Sequence, residues 1–277
     1  MAEALVLGGG GVGGIAWMTG VLAGLAEVGR DVSGAGVLVG TSAGSTVAAQ
    51  VGSGLGLHEL YARQTEPGLQ AAELVVEWDL EGFVQRLTAA AQGRSPVELR
   101  RVIGAMALAA ETVPAAQRLA VIQSRLPVQG WPERDVRVVA VDAESGDMRV
   151  FDRDSGVRLV DAVAASCAVP GVWPPVEIEG RHYIDGGVRS NENADLALGC
   201  EQVVVLAPMG VESPLPGEKP LAVAVEELRA AGARVAVVVP DSASVEAVGV
   251  NPLDPACRRP AAEAGLAQGR ALEPAFA

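Results

Sequence analysis

Short apolar runs alternate with glycine-rich turns and helical segments over about the first fifty residues of the chain. The run at 5–7 ends in glycines, and beyond Gly14 apolar residues recur at helical spacing as far as Val28. A second apolar run, at 36–39, precedes a segment of small residues over 42–51. Short uninterrupted apolar runs are typical of buried parallel strands, and strands that alternate with helices favour right-handed crossovers. The pattern predicts an α/β fold with a mostly parallel central sheet flanked by helices.

The rest of the chain is predicted to belong to the same domain. A long segment at about 57–127 is mostly helical, with Ser95 before Pro96 as a good helix N-cap, so we expect a helical insertion there. The proline- and glycine-rich segment 208–220 reads as a surface loop that is too short to separate domains. The sequence therefore predicts a single domain over residues 1–277.

Strands resume after the helical insertion. Turn residues at 144–147 lie between two apolar runs, which predicts a β-hairpin. The predicted strands of this half lie at 136–141, 148–151, 176–178, 182–184, 203–206 and 235–239, and the predicted helices lie at 159–165, 221–231 and 261–269.

Charge and cysteine content limit the possible functions. The chain carries 21 basic and 34 acidic residues, a formal net charge of −13, and it has no basic stripe to neutralise phosphates. We therefore expect no nucleic-acid partner. The same charge disfavours electrostatic attraction to anionic membranes, although hydrophobic contact with lipid remains open. Three widely spaced cysteines show neither a disulfide framework nor a metal-binding pattern, so we expect no metal: Cys167, Cys200 and Cys257.

Targeting signals are also missing from the pattern. The first residues, MAEALVLGGG, lack the basic region and the cleavage site of a signal peptide. No stretch approaches the roughly 18 uninterrupted apolar residues of a spanning helix. The expectation is a cytoplasmic protein.

The first chemical motif is a glycine-rich segment between a strand and a helix. Exposed N–H groups at a helix N-terminus stabilise negative charge, either a phosphate or the oxyanion of an acyl-transfer intermediate. The spacing also fits the dinucleotide fingerprint, with Asp31 downstream. The candidate loop residues are Gly9, Gly10, Gly11, Val12, Gly13 and Gly14.

The second motif is a GxSxG sequence between a strand and a helix. A nucleophile on a sharp strand-to-helix turn leaves little room for Cβ atoms at the flanking positions, so glycines occupy them. This context favours Ser42 as a nucleophile over its alternative role as a simple helix N-cap. The remaining residues of this candidate elbow are Gly40, Thr41, Ala43 and Gly44.

The third motif supplies a base for Ser42. The two histidines, His58 and His182, both precede Asp185, whereas the α/β-hydrolase order places a histidine late in the chain. We expect neither histidine to be catalytic. Asp185 ends a predicted strand and is followed by Gly186 and Gly187. A carboxylate can take the proton of a serine if burial raises its pKa and it lies within hydrogen-bond reach.

Together the three motifs resemble those of the patatin-like phospholipase family, whose members use a serine–aspartate dyad and no histidine. The resemblance covers roughly 4–53 and 134–210 and includes the segment 164–175, which leads to the family's aspartate. It implies a patatin-like α/β/α architecture, with Ser42 as nucleophile, Asp185 as base and the glycine loop as oxyanion hole.

The resemblance also implies an activity. The chain would be a lipid acyl hydrolase of the phospholipase A, lysophospholipase or esterase type, with a lipid or acyl-ester substrate, transient contact with a membrane surface and no cofactor. It leaves the head group, the acyl-chain length and the oligomeric state open.

One residue departs from the family pattern. Gly13 stands where the family usually carries arginine or lysine, so the oxyanion is expected to rest on N–H groups around Gly10 and Gly11. An arginine introduced at position 13 is expected to bring a cation to the developing charge and to raise kcat/KM. Two other functions compete: a catalytically weak relative kept as an interaction protein, which Gly13 suggests, and a dinucleotide-binding oxidoreductase that uses the loop Gly9–Gly14.

Overall fold

The structure, a computed structural model, describes residues 2–76, 80–212 and 219–273. Within these ranges the chain forms eight strands of a single sheet. All eight predicted strands are present. Their bounds are β1 (Glu3–Leu7), β2 (Val37–Thr41), β3 (Asp135–Asp142), β4 (Met148–Phe151), β5 (Val176–Ile178), β6 (Arg181–Asp185), β7 (Gln202–Leu206) and β8 (Arg234–Val238).

The sheet is mixed but mostly parallel, which confirms the predicted fold class. Its strand order is β5-β6-β3-β2-β1-β7-β8, and β4 pairs with β3 beside this path. The five strands from β3 to β8 in that order run parallel, whereas β4, β5 and β6 add antiparallel pairings. Because β1 and β2 are parallel neighbours, the loops that follow them leave the same edge of the sheet.

Helices cover the sheet on both faces. In the described ranges the α-helices are α1 (Gly11–Glu27), α2 (Ala43–Gly52), α3 (Leu57–Thr65), α4 (Leu80–Ala91), α5 (Pro96–Ala109), α6 (Ala115–Arg125), α7 (Leu159–Ser166), α8 (Leu221–Ala230), α9 (Ser242–Val248) and α10 (Arg258–Ala271). None of these helices is both long and apolar enough to cross a membrane.

One helix begins earlier than the sequence predicted, and another helix was not predicted. Helix α1 begins at Gly11, inside the segment predicted as a loop, and α9 was not predicted. The predicted cap of α5 is present, since the Ser95 hydroxyl accepts from the Glu98 N–H while the Glu98 carboxylate accepts from the Ser95 N–H. Part of the predicted loop 208–220, namely 213–218, lies outside the described residues.

The core has two main layers, one on each face of the sheet. Along β1, Leu5 and Leu7 point into a cluster with α1, α2, α7 and α10, whereas Ala4 and Val6 point into a second cluster with α8. This alternation follows from the two-residue repeat of a strand. The result is a helix–sheet–helix sandwich whose loops are free to build a site at the edge of the sheet.

Helices α1 and α10 approach each other unusually closely. A Cβ on any of four glycines would overlap a backbone carbonyl oxygen of the facing helix; for example, one on Gly269 would overlap the carbonyl of Val21. The four are Gly20, Gly24, Gly265 and Gly269. Each helix therefore carries a pair of glycines one turn apart, and the two pairs let the backbones come into direct contact.

Candidate active site

Ser42 occupies a strained turn between β2 and α2. Its backbone has φ 52° and ψ −118°, a conformation that non-glycine residues seldom adopt and that costs about 1–3 kcal/mol. Although Ser42 stands at the N-cap position of α2, its hydroxyl makes no capping hydrogen bond. The strain therefore does not serve helix capping, and it leaves the partly exposed Ser42 side chain free for another role.

The two glycines of the GxSxG motif are required by close backbone approach. A Cβ on Gly44 would overlap the carbonyl oxygen of Leu7 at the end of β1. A Cβ on Gly40 would lie only 2.5 Å from the Cα of Ser45. The turn can thus be this sharp only without side chains at these positions, which is the steric reason given for the motif.

Residues at the end of α7 hold the turn from behind. The Ser42 N–H donates to the Ser166 hydroxyl oxygen at 2.9 Å. The Ser42 carbonyl oxygen accepts from the Ser45 N–H at 2.9 Å and from the Cys167 thiol at 3.2 Å. Both backbone groups of the strained residue are therefore engaged, which fixes the direction of its side chain.

Asp185 lies at the end of β6 and is only 5% exposed. Its N–H donates to the Ala168 carbonyl at 3.0 Å, and its Oδ1 accepts from the Gly187 N–H at 2.8 Å. Its Oδ2 makes no hydrogen bond of ordinary geometry to any described residue. The Ser42 hydroxyl is nevertheless near enough to lower the pKa of this carboxyl group. The pair is close but loosely aligned, as is common in substrate-free sites.

Burial dominates the acidity of Asp185. Desolvation raises the pKa of the carboxyl group to about 6, against the opposing effects of the Ser42 hydroxyl, the Gly187 N–H and the Arg118 cation. A pKa near the working pH suits a group that must accept a proton and later return it. The pKa of the Asp185 carboxyl group is thus raised towards the usual range of a histidine side chain.

The two glycines after Asp185 are also required by close contacts with neighbouring atoms. A Cβ on Gly186 would overlap the carbonyl oxygen of Val139 in the neighbouring strand β3. A Cβ on Gly187 would lie 3.0 Å from Asp185 Oδ1, the atom that accepts the hydrogen bond from the Gly187 N–H. The Asp-Gly-Gly sequence therefore allows the backbone to turn tightly around its own carboxylate.

The glycine loop passes directly over Ser42. A Cβ on Gly9 would lie 3.5 Å from the Ser42 Cβ. The N–H groups of Gly8, Gly9, Gly13 and Gly14 donate to carbonyl oxygens at 2.7–3.0 Å. No acceptor among the described residues faces the N–H groups of Gly10 and Gly11. These two donors, at the first turn of α1, are free to bind an anion.

The structure contradicts the expectation for position 13. Gly13 is buried in the first turn of α1, and a Cβ there would lie 3.0 Å from Val248 Cγ1 and 3.1 Å from Cys257 Sγ. A side chain at this position would point into the packing of α1 against α9 and α10, away from the N–H groups of Gly10 and Gly11. An arginine at position 13 would therefore crowd the interior instead of approaching an oxyanion.

Many of the predicted site residues line one cleft. The cleft is open to solvent, and more than half of its lining residues are apolar. The predicted residues in its wall are Gly9, Gly10, Gly11, Val12, Ser42, Ala43, Asp185 and Gly187. The other predicted residues are buried: Gly13, Gly14, Gly40, Thr41, Gly44 and Gly186.

Neither histidine takes part in this cleft. His58 is exposed on α3, and the ring of His182 lies 3.1 Å from the carboxylate of Glu144 at the surface. Among the described residues, no group of three or more His, Cys, Asp or Glu side chains is arranged to hold a metal ion.

Several polar residues of the cleft were not found from the sequence. The backbone carbonyl oxygen of Asn191 accepts from the Gly9 N–H. The side-chain amide of Asn191 donates to the Glu192 carboxylate at 2.9 Å. Burial raises the pKa of Glu192 to about 7. Their position, a polar run just beyond Asp185, is a signal that sequence analysis can use. Arg118 on α6 also lines the cleft and carried no such signal.

A serine on a strained strand-to-helix turn, a buried carboxylate and a glycine loop share one cleft at the edge of a mostly parallel sheet. The sequence model of the patatin-like phospholipase family matches residues 5–198 of this chain. The chain therefore belongs to the patatin-like phospholipase family, as its motifs predicted.

Two solved structures are similar to this chain at low sequence identity. One is VipD from Legionella pneumophila, with 14% identity and a TM-score of 0.43, where the match covers 76% of this chain and 51% of VipD. The other is the type III effector protein ExoU, with 15% identity and a TM-score of 0.39, covering 97% of this chain and 53% of ExoU. The chain thus spans about half the length of these structures. No curated protein sequence matches it.

Proposed function

We propose that this protein is a serine hydrolase of lipid carboxylic esters that uses a Ser42–Asp185 dyad. The observation that carries the proposal is the strained Ser42 turn beside a buried carboxylate whose Oδ2 has no hydrogen-bond partner among the described residues. Both features cost stability, and the Ser42 hydroxyl makes no helix-capping hydrogen bond that would account for the strained turn. Strain and unpaired buried polar atoms concentrate at functional sites.

Acylation begins when Ser42 Oγ attacks the ester carbonyl carbon and its proton passes to Asp185 Oδ2. The carbonyl oxygen becomes an oxyanion that accepts hydrogen bonds from the N–H groups of Gly10 and Gly11, with the N-terminus of α1 adding its partial positive charge. When the tetrahedral intermediate collapses, the ester C–O bond breaks and the alcohol leaves with the proton from Asp185. The product is an acyl ester on Ser42.

Deacylation repeats the same steps with water. Asp185, again a carboxylate, takes a proton from water as the water oxygen attacks the acyl carbon. Collapse of the second intermediate releases the fatty acid and returns the proton to Ser42 Oγ. A group with a pKa of about 6 is mostly ionised near neutral pH and yet acidic enough to protonate a leaving alkoxide.

The wall of the cleft favours a lipid substrate. Much of the wall is apolar and comes from the helical segment as well as from the loops around the sheet: Leu74, Leu87, Ile103, Trp173, Val188 and Leu253. An acyl chain buried there would gain about 0.8 kcal/mol per CH₂ group removed from water. Helices α4 and α5 thus contribute apolar residues to the proposed acyl site in addition to covering the sheet.

A fluorophosphonate probe tests the proposal directly. We expect the folded protein to form a covalent adduct on Ser42, found by mass spectrometry of the digested protein, and Ser42→Ala to give no adduct and no turnover. A series of p-nitrophenyl esters of increasing chain length should then show rising kcat/KM. A folded protein that neither reacts with the probe nor hydrolyses any ester would instead support the alternative of a catalytically weak interaction protein.

A further inference from the structure

Arg118 is a buried cation in the wall of the same cleft. The side chain extends from α6, the residue is only 6% exposed, and it lines the cleft together with Ser42 and Asp185. Its guanidinium group lies over the ring of Trp173, with the central carbon 3.8 Å from the ring centroid. This stacking satisfies one face of the cation and fixes its plane, but it uses none of its N–H donors.

Two of the three guanidinium nitrogens of Arg118 lack protein partners. Its Nε and Nη1 are buried and have no hydrogen-bond partner among the described residues. A guanidinium group carries five N–H donors and stays charged, so a buried one without acceptors costs several kcal/mol of stability. A fold retains such a group when something else supplies the acceptors.

Two neighbouring arginines, unlike Arg118, have a carboxylate partner. Arg125, about two turns further along α6, donates from Nε and Nη2 to the Glu73 carboxylate at 2.9 and 2.6 Å. Arg258 also pairs with Glu73. Glu73 is thus shared by two other cations, and this part of the cleft has an excess of positive charge. Burial and the Arg125 cation lower the pKa of Arg118 to about 9.

Asp185 does not resolve this excess. The Arg118 cation is near enough to lower the pKa of Asp185, yet Oδ2 of that carboxylate makes no hydrogen bond to any described residue. The two groups therefore do not form a hydrogen-bonded ion pair. If Asp185 must receive the proton of Ser42, pairing with Arg118 would also hinder that role, because a close cation weakens a base.

We propose that Arg118 binds an anionic group of the substrate, a phosphate or a carboxylate, so that the protein selects negatively charged lipids. The inference rests on the proposed function and extends it to the substrate class. Phosphate and carboxylate oxygens match the planar donor fork of arginine, and the surrounding apolar wall strengthens the interaction by excluding water. Trp173 acts as the platform that holds the fork in its plane.

The test is a binding measurement with three ligands that share one alkyl chain and contain no acyl ester. They are dodecyl phosphate, dodecanoate and 1-O-dodecylglycerol, each titrated by calorimetry below its critical micelle concentration. We expect Arg118→Gln to weaken binding of at least one anion by roughly 10- to 100-fold, the range of a charge-assisted hydrogen-bond pair. Affinity for the uncharged dodecylglycerol should stay within about twofold, since the alkyl chain keeps its contacts.

A matched control separates the local site from general charge. Arg101→Gln removes an exposed arginine from the neighbouring helix α5 and should leave all three affinities unchanged. Arg118→Met, which keeps an unbranched apolar stem, replaces the Gln variant if thermal unfolding shows that the latter is not folded. The anion that loses affinity identifies the group: dodecyl phosphate for a lipid phosphate, dodecanoate for a fatty-acid carboxylate.

Two results would overturn the proposal. One is an equal loss for the anions and for dodecylglycerol in both folded variants, which would make Arg118 a support for the shape of the cleft. The other is unmodified protein that binds neither anion more tightly than dodecylglycerol. Because none of the ligands is a substrate, the outcome does not depend on whether Ser42 reacts. A failure of the Ser42–Asp185 hydrolysis would appear instead in the fluorophosphonate experiment.

Discussion

A carboxyl group with a pKa near 6 makes the proposed reaction pH-dependent at the residue scale. Only the ionised form of Asp185 can accept the proton of Ser42, so kcat/KM for a neutral ester should rise as pH increases through about 6 and level off above it. The measurement is a rate profile for a short p-nitrophenyl ester between about pH 4.5 and 8. A rate that falls over this range would assign the ionisation to a required acid.

We expect replacement of the Asp185 carboxylate to lower activity and to raise stability near neutral pH. We expect Asp185→Asn to lose ~10²–10⁴-fold in kcat, because an amide cannot accept the proton, whereas His58→Ala and His182→Ala keep most activity. Burial raises the pKa of Asp185 from 3.8 to about 6, so ionising it in the folded state opposes folding. The penalty is absent below about pH 4, grows as pH rises, and is complete above about 6.

The stability arm of this prediction can be measured separately. At pH 8 the Asn variant should be more stable than the unmodified protein by on the order of 2–3 kcal/mol in urea unfolding, and this difference should vanish near pH 4. His182→Ala serves as the control, since its ring lies at the surface beside Glu144. An Asn variant that is less stable at pH 8 would contradict the role of burial.

At position 13 the structure predicts a loss of stability and no gain in kcat/KM, whereas the sequence analysis expected a gain in kcat/KM. Gly13→Ala places a methyl group 3.0–3.1 Å from Val248 and Cys257, and Gly13→Arg must displace them. We expect the alanine variant to lose about 1–3 kcal/mol of stability, the arginine variant more, and neither to gain kcat/KM. Gly34→Ala is the matched control, because no atom lies within 4 Å of its Cβ position. Higher turnover in folded Gly13→Arg would restore the original expectation.

Among single residues, the sequence predicts those that lie on tight backbone turns. It does not predict those whose role depends only on tertiary packing. Ser42 and Asp185 are flanked by glycines that the tight turns require, so their positions leave a local signature. Arg118 sits on a helix with alternating polar and apolar residues, where an arginine ordinarily faces water. Only the packing of α6 against the loop that carries Trp173 turns this side chain inward.

Among the elements, the contact between α1 and α10 is the most demanding. Because a Cβ on Gly24 or Gly269 would overlap a carbonyl oxygen, Gly24→Ala or Gly269→Ala must push the two helices apart. We expect each to lower the free energy of unfolding by about 1–3 kcal/mol, despite the better helix propensity of alanine. Chemical denaturation with Gly34→Ala as the control checks this. Stabilisation by either substitution would show that the helices do not pack as described.

The sequence predicts most elements because their apolar periods are clear, and the exceptions have local causes. Helix α1 starts at Gly11 although glycine is a poor helix former, since the Gly13 N–H donates to the Pro252 carbonyl and the Gly14 N–H to that of Gly10. Helix α9 is short and rich in serine and valine, so its composition resembles a loop or a strand. Its one local signal is Asp241, whose carboxylate caps the helix at the Ser244 N–H.

In the whole molecule, segments far apart in sequence meet at α1. The Trp17 indole N–H donates to Gln268 at 2.8 Å, and the amide of the same glutamine donates to the Val239 carbonyl at 2.7 Å. Helix α1 also begins with Gly11, whose N–H group has no acceptor among the described residues. The position of the proposed oxyanion hole therefore depends on a helix that lies about 250 residues further along the chain.

This arrangement sets an order of events during synthesis. A ribosome completes Ser42, Asp185 and the glycine loop long before residues 258–271 emerge, so α1 must wait without its glycine-bearing partner. We expect a chain that ends at residue 257 to remain unreactive towards a fluorophosphonate, and addition of residues 258–271 to restore the reaction. Labelling of the shorter chain would show that α1 reaches its folded position without α10. Otherwise the growing polypeptide would stay unreactive until its last described helix packs against its first.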